Sequence, residues 1–371
     1  MDFDFSENQQ QLRDAVRRWV EKGYTFERRR AIVENGGFSR EAWGELAGLG
    51  LTALTVPEQY EGLGQGPIDA MVAMEELGRG LVVEPLAQAF VAAAVLGQYA
   101  DAALAGQWLP RVAGGQALLV MANQERKARY RLDICEAKAT KNANGYALQA
   151  SKSIVPAGDQ ADAFLVPAQL DGAQALFLVE RSAAGVSTQG YRTQDGGRAA
   201  ELRCQDASAA LVTTDGLAAL ALAQDTANAA LCAEGVGAME ETLRMTVEYM
   251  GQRKQFGVPI ASFQALRHRV ADMKMQLELA RSMSYYASLK LGAPAGERSL
   301  AVARAKVQLG QALRFVSQQS VQLHGGIGVT DEYAGSHYFK RLTQMEMTGG
   351  DTLHHLGVVS QNMQDTAGVF A

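Results

Sequence analysis

Cysteine is scarce in this chain. Its 371 residues hold three, Cys135, Cys204 and Cys232, odd in number and far apart. No disulfide framework is encoded, and the three read as reduced, buried thiols. Metal-ligand spacings are missing as well: there is no CxxC and no HExxH, and only five histidines are present. His354 and His355 are neighbours, so on a helix they point about 100° apart and read as a helix-end pair. No metal is expected. No stretch approaches the roughly 18 apolar residues of a membrane span. The opening MDFDFSENQQQ is acidic and polar, unlike a signal peptide. A cytoplasmic protein without membrane contact is the expectation. Basic excess is also absent: 35 Lys and Arg stand against 40 Asp and Glu, a net charge of −5. Nothing is in surplus to neutralise phosphate strands, so no nucleic-acid partner is expected. Internal repeats and low-complexity linkers do not occur.

What the chain does have is apolar residues, 47% of the total. That is enough for a large core, and the length suggests two or three domains. The patterning divides them. Residues 1–116 read as helices. Leu12, Val16 and Trp19 share one face of the first, and Ser39 precedes Arg40-Glu41-Ala42-Trp43 as an N-cap. A loop with Gly62, Gly64 and Gly66 precedes a helix carrying Ala70, Met74 and Leu77. It is not a dinucleotide fingerprint, because no βαβ strand leads into it. Residues 117–215 change period. ALLVMAN, a segment turning at Asn144-Gly145, ADAFLVPA, ALFLVE and AELRCQDASAALV read as short strands of a small barrel or sandwich. Residues 216–371 return to helix, with amphipathic segments starting near Leu222, Ser262, Glu297 and Tyr338 that suit a four-helix bundle. The fold class is therefore α+β, a β-domain between two helical ones.

Two stretches carry the chemistry. In QLHGGIG, Gly325, Gly326 and Gly328 stop a long helix and let backbone approach a ligand or a neighbouring chain. In RKQFG, Arg253 and Gln255 sit at a helix end beside Phe256, and an arginine fork suits a diphosphate. Read without further context, each is equally a capped helix end with a surface cation.

Together, RKQFG, the following SFQ helix start and QLHGGIG resemble the acyl-CoA dehydrogenase family of flavoproteins, over nearly the whole chain. Within the family, YRTQDGGRAAE, LCAEGVGAMEE, RKQFGVPIASFQ and QLHGGIGVTDEY are most similar to the small subunit of a two-subunit enzyme acting on pimeloyl-CoA. The resemblance implies an FAD-dependent oxidoreductase that forms an α,β-unsaturated acyl-CoA; a dicarboxylyl-CoA such as pimeloyl-CoA is one candidate substrate, and an aliphatic dicarboxylyl, a branched or a steroid side chain are not told apart by the residues. It implies FAD contacts at Arg253, Gln255, Phe256, Gln264, Gln322, His324, Gly325, Gly326, Asp351 and Thr352. The QLHGG segment would close over the cofactor from a neighbouring subunit. An electron-transfer flavoprotein would be the electron acceptor.

The family's base is a glutamate just before a Gly-Thr or Gly-Ser pair. With Thr352 matched to that threonine, the position here is Gly350, which has no side chain to take a proton. The family's alternative position falls at Ala227, also not acidic. Glu346, one helical turn earlier, and Asp351, next door, are the remaining candidates. The β-domain departs too. Where the family has a hydroxyl-rich loop, this chain reads Asn123-Gln124-Glu125-Arg126-Lys127-Ala128-Arg129-Tyr130-Arg131. Arg126 and Arg129 are candidates for CoA phosphates or a distal substrate carboxylate. At the later flavin-edge segment stands Pro156, with neither hydroxyl nor N–H. The expectation is a subunit of a homo-oligomer, or of a heterotetramer whose second acyl-CoA dehydrogenase-like subunit supplies the glutamate. The alternative is a non-catalytic FAD-binding or scaffolding subunit.

Overall fold

A computed structural model describes residues 5–143 and 145–363. Asn144 and the first four residues of the N-terminal stretch lie outside the described residues. Six helices come first: α1 (Glu7–Gly23), α2 (Phe26–Glu34), α3 (Arg40–Gly48), α4 (Pro67–Arg79), α5 (Leu86–Tyr99) and α6 (Ala102–Ala113). Their starts follow local chemistry. The Ser6 and Gln9 side chains form a reciprocal capping box on α1. The Ser39 hydroxyl accepts from Ala42 N–H at 3.2 Å, as its position predicts.

Among the described residues nine strands follow: β1 (Leu119–Met121), β2 (Lys138–Asn142), β3 (Gly145–Pro156), β4 (Ala163–Leu170), β5 (Ala173–Glu180), β6 (Val186–Arg192), β7 (Arg198–Thr213), and later the small pair β8 (Lys254–Gln255) and β9 (Val258–Pro259). Pairings run β4 to β2, β2 to β3, β3 to β7, β7 to β5 and β5 back to β4, which closes a barrel. β1 lies parallel beside β4, and β6 pairs with the N-terminal half of the long β7. Closure leaves few free edges. Asn142 pairs with Gly145, the register of a two-residue hairpin.

The C-terminal helices are α7 (Gly216–Gln252), α8 (Gln264–Lys290), α9 (Ala295–His324), α10 (Ala334–Met347) and α11 (Thr352–Met363). The four expected segments become five helices, because a further one, α11, starts directly after the Gly349/Gly350 turn and lies on α9. The alanine-rich part of α7 is packed on both sides. A Cβ on Gly78 would lie 2.0 Å from Glu234 O, and one on Gly237 would lie 1.7 Å from Glu75 O. α4 and α7 therefore touch backbone to backbone, and only glycine permits that approach. Cys204 and Cys232 are buried free thiols, whereas Cys135 is only half-buried.

Candidate functional site

A cavity of about 530 Å³ lies where the three parts meet. Met74, Leu77 and Leu86 wall it from the N-terminal helices, Met121 and Pro156 from the barrel, and Ala223, Ala227 and Leu231 from α7. The small side chains of α7 leave the room. One end is closed by a charged clasp spanning all three parts. Arg341 Nη1 lies 2.7 Å from Asp195 Oδ2, and its Nε donates to Glu234 Oε1 at 2.8 Å. Arg29 is 1% exposed and donates to Asp195 O at 2.7 Å and Leu81 O at 2.9 Å. Burial pushes the Glu234 carboxyl up, against the pull of Arg341. Burial also opposes ionisation of Asp195, but Arg341 and the Thr193 hydroxyl outweigh it and hold that carboxyl below its ordinary range. Every charge in the clasp has a partner, as buried charges require.

The turn after α10 forms another part of the wall. Gly349 and Gly350 take φ of +66° and +109°, the left-handed side that favours glycine. The Gly349 carbonyl accepts from Asn228 Nδ2 at 3.1 Å and from His355 Nε2 at 3.0 Å. A Cβ at Gly350 would lie 2.5 Å from His355 Nε2 and 2.7 Å from His354 Cδ2. The expected base position thus lacks both an acid and space for one. Burial pushes the His355 imidazole down to about 4. Lys306, 1% exposed, donates to Met345 O at 3.1 Å and Thr348 O at 2.8 Å, capping the end of α10. Burial pushes its amine down to about 8.

The two substitute carboxylates turn elsewhere. Glu346 Oε1 accepts from Thr352 N at 3.1 Å, from Thr352 Oγ1 at 2.8 Å and from Arg314 Nη2 at 3.1 Å. It caps α11 rather than reaching inward. Asp351 Oδ1 accepts from His354 N at 2.8 Å, and its Oδ2 lies 3.1 Å from Arg129 Nη2. Neither is among the cavity-lining residues, while Ala227 is. In this structure both carboxylates are engaged at the start of α11, outside the cavity lining.

The remaining candidates gather at another corner. Arg253 ends α7, and β8 and β9 form a hairpin with Phe256 and Gly257 at its tip, both at positive φ. Phe256 is 92% exposed, with its ring edge toward Phe263 at 6.1 Å. Among the described residues the Arg253 guanidinium has no side-chain partner, and Arg253, Gln255, Gln264, Gln322, Gly325 and Gly326 are all exposed. His324 differs. It is 4% exposed, its ring is 4.6 Å from Tyr249, Tyr333 Oη lies 2.7 Å from its Nε2, and its Nδ1 is 2.8 Å from Ser320 O. It holds the corner from behind. Thr352 packs on Gly310, where a Cβ would meet its Oγ1 at 2.2 Å. From Gly310 to His324 is about 21 Å along α9. Asp351 and Thr352 therefore stand apart from the other eight.

The loop after β1 carries the basic run. Glu125 at its start is buried and meets Lys152 Nζ at 2.6 Å; Lys152 itself has no exposure. Arg126 lies 3.5 Å from Glu201, Lys127 lies 2.7 Å from Glu136, and Arg131 pairs with Asp133. Below it, Ile154 sits in a bulge of β3 at φ +53°, 47% exposed into the cavity mouth. A β-branched residue held there carries strain of about 1–3 kcal/mol, a feature that collects at ligand sites. The Glu125–Lys152 pair and the four-residue clasp escape a reading of residues alone. A hint was present in α7, where Glu234 stands charged among alanine, cysteine, glycine and valine.

The chain belongs to the acyl-CoA dehydrogenase family. The family's N-terminal domain model matches residues 6–116, and its C-terminal domain model matches residues 215–364. Acyl-CoA dehydrogenase IpdE2 of Mycobacterium tuberculosis is 32% identical over 340 residues, covering 90% of this chain and 91% of the relative. Acyl-CoA dehydrogenase FadE27 of the same organism is 28% identical over 380 residues, covering 99% of this chain and 100% of the relative. A chain of the ChsE4-ChsE5 complex from Mycobacterium tuberculosis superposes with a TM-score of 0.90 at 28% identity, covering 99% of this chain and 100% of that one. No described helix is long and apolar enough to cross a membrane.

Proposed function

We propose that this chain is one subunit of an FAD-dependent acyl-CoA dehydrogenase that forms an α,β-unsaturated acyl-CoA, with the catalytic glutamate supplied by a different, paired subunit. The observation that carries this reading is the Gly349/Gly350 turn. A base cannot be placed at Gly350, because the left-handed backbone and the two imidazoles occupy its space. The heteromeric ChsE4-ChsE5 complex, of which a close structural match is one chain, supports the pairing. The closer likeness to the small subunit of pimeloyl-CoA dehydrogenase points the same way and makes a dicarboxylyl-CoA the substrate we favour.

The residues present fit FAD at the exposed corner. A guanidinium without a side-chain partner among the described residues, an exposed aromatic ring and open space over two glycines suit an anionic ligand with a flat ring system. When bound, FAD accepts the β-hydrogen as hydride. Arg253 would hold its diphosphate, Phe256 would cover a ring face, and the Gly325 and Gly326 backbone would let it lie close. Gln255, Gln264 and Gln322 would add hydrogen bonds. Asp351 and Thr352, lying far along α9, would face a separate part of the assembly. Pro156 offers the flavin edge no N–H, which also favours the partner as the site of chemistry. Arg126 and Arg129 would meet the CoA phosphates, and electrons would leave to an electron-transfer flavoprotein.

The test is co-expression with a neighbouring acyl-CoA dehydrogenase gene. The expected outcome is a yellow complex that desaturates acyl-CoA, while this chain alone does not. Full turnover by the pure homo-oligomer would refute the pairing. A colourless complex that takes up no added FAD would move the chain to the scaffolding reading.

A further inference from the structure

The basic loop has the build of a lid. Its neck is stapled. The buried Glu125 carboxylate accepts from Glu136 N at 2.7 Å and from Ala137 N at 3.2 Å, while Lys152 Nζ holds it from behind. Start and end of the loop are thus fixed to one another, as in an Ω-loop. Between them, residues 126–134 lie over the cavity: Ala128, Tyr130, Leu132 and Ile134 line it from above. Gln174 Nε2 reaches Leu132 O at 3.1 Å and holds one flank.

The tip is held differently. Arg129, in the left-handed region at φ +49°, points across the mouth to Asp351 Oδ2 at 3.1 Å. Tyr130 leans on His354, with ring centroids 5.3 Å apart. Both contacts land at the start of α11, Asp351 just before it and His354 in its first turn, beside the closed glycine turn. The Arg129 side chain is 74% exposed and that of Asp351 is 21% exposed. A wet ion pair of that kind is weak and screened. The lid therefore has a fixed neck and a labile tip.

We propose that residues 126–134 are a lid latched by the Arg129–Asp351 pair, and that a nucleotide phosphate of a CoA-type thioester opens it by taking Arg129 from Asp351. The phosphate part rests on the acyl-CoA reading above. The exchange follows from charge. A phosphate offers a guanidinium more negative charge and more acceptor oxygens than one carboxylate. Arg126, Lys127 and Arg131 flank the same tip, each in an ion pair of its own with Glu201, Glu136 and Asp133, so the exchange concerns Arg129.

The experiment uses the full chain in its purified assembly and the variants Asp351→Asn and Arg129→Gln. Asparagine keeps an oxygen for His354 N–H, so the α11 cap survives while the charge goes. Trypsin cuts after Arg126, Lys127, Arg129 and Arg131, whose side chains are already exposed with the lid closed, so the change in cutting rate between proteins, rather than cutting itself, reports freeing of the loop. In D351N, cutting within residues 126–131 is expected to quicken about threefold to fivefold, the scale of losing one exposed ion pair. CoA is expected to bind D351N more tightly by a similar factor and R129Q more weakly. Pantetheine, which lacks the phosphates, is expected to ignore both changes. A D351N protein with native melting behaviour but unchanged cleavage and unchanged CoA binding would overturn the latch. Equal weakening of CoA and pantetheine by R129Q, or no CoA binding by any of the three proteins, would overturn the exchange. Flavin content and turnover, which test the subunit assignment, enter none of these readouts.

Discussion

Two glycine turns end two helices of the same bundle; both use left-handed backbone, at Gly325 and at Gly349 and Gly350, but their surroundings are opposite. After α10, Gly349 and Gly350 are glycine because their neighbours leave no room. A Cβ on Gly349 would lie 2.1 Å from Asn228 Oδ1, and one on Gly350 would lie 2.5 Å from His355 Nε2. After α9, a Cβ on Gly325 or Gly326 meets nothing within 4 Å. The first turn is complete within the chain, with its carbonyl and its two capping carboxylates all taken. The second faces open space, and Arg253 of the same corner has no side-chain partner among the described residues. Absence of an acid at Gly350 is therefore built into the packing, while the exposed corner is left open.

The sharpest way to break that contrast is to return the acid. Gly350→Glu should not restore dehydrogenation to the isolated chain. It should also destabilise the fold by about 3 kcal/mol or more, because left-handed strain and overpacking against two imidazoles add. Urea unfolding and acyl-CoA turnover measure both effects. A stable variant that turns over substrate would show the turn to be open after all.

The ring that fills the closed turn gives the next test. Burial pushes the His355 imidazole down to about 4 in the folded chain, against about 6.5 unfolded. Between those values the unfolded chain binds a proton that the folded chain refuses. Its contribution is present above pH 6.5 and is lost as pH falls toward 4, up to about 3 kcal/mol. His355→Gln should flatten that part of the stability profile between pH 7 and 4.5. Equal slopes for native and variant would mean that the imidazole is not enclosed.

Much of the fold was legible because its signals are local. Ser39 caps where its position says, the β-domain announces itself by period and turns, and α7 to α9 follow their apolar faces. α11 was missed because Gly349-Gly350-Asp351 reads as an end, and Leu353, Leu356 and Met363 face outward rather than marking a buried stripe. The closed turn itself was not legible. Asn228 and Gly349 are 121 residues apart in sequence, and Glu234 and Arg341 are 107 apart. No local pattern encodes such partners; only the packing of α7 against α10 creates them. The open corner was legible because RKQFG and QLHGG each carry their own turn chemistry within a few residues.

At that open corner, Arg253→Ala should lower FAD affinity in the assembled protein by about 1.5–3 kcal/mol, the scale of one charge-assisted contact. Arg253→Lys should recover only part of it, because a point charge cannot make the paired contact. FAD retention and the thermal midpoint with and without added FAD provide the measurement. If all three proteins retain FAD alike, Arg253 is a surface cation and the diphosphate lies elsewhere.

The smallest effect on the chain is the most discriminating between the two turns. Gly326→Ala adds one methyl group at a position where the chain itself offers no obstacle. Gly326 is not among the residues at positive φ, so alanine meets no backbone strain. Stability of the chain without flavin should change by no more than about 0.5 kcal/mol. The contrasting Gly349→Ala, where the methyl group meets Asn228, should lose several times more. Yet if the open space is where the cofactor lies close to the backbone, Gly326→Ala should reduce FAD retention in the assembled protein while leaving the apo melting curve in place. That separation of binding from folding is the signature of a glycine kept for a ligand. Melting curves of apo and FAD-loaded protein decide it: a methyl group that alters neither curve means the space over Gly326 is solvent, and the likeness of the corner to a cofactor seat is then only one of residue type.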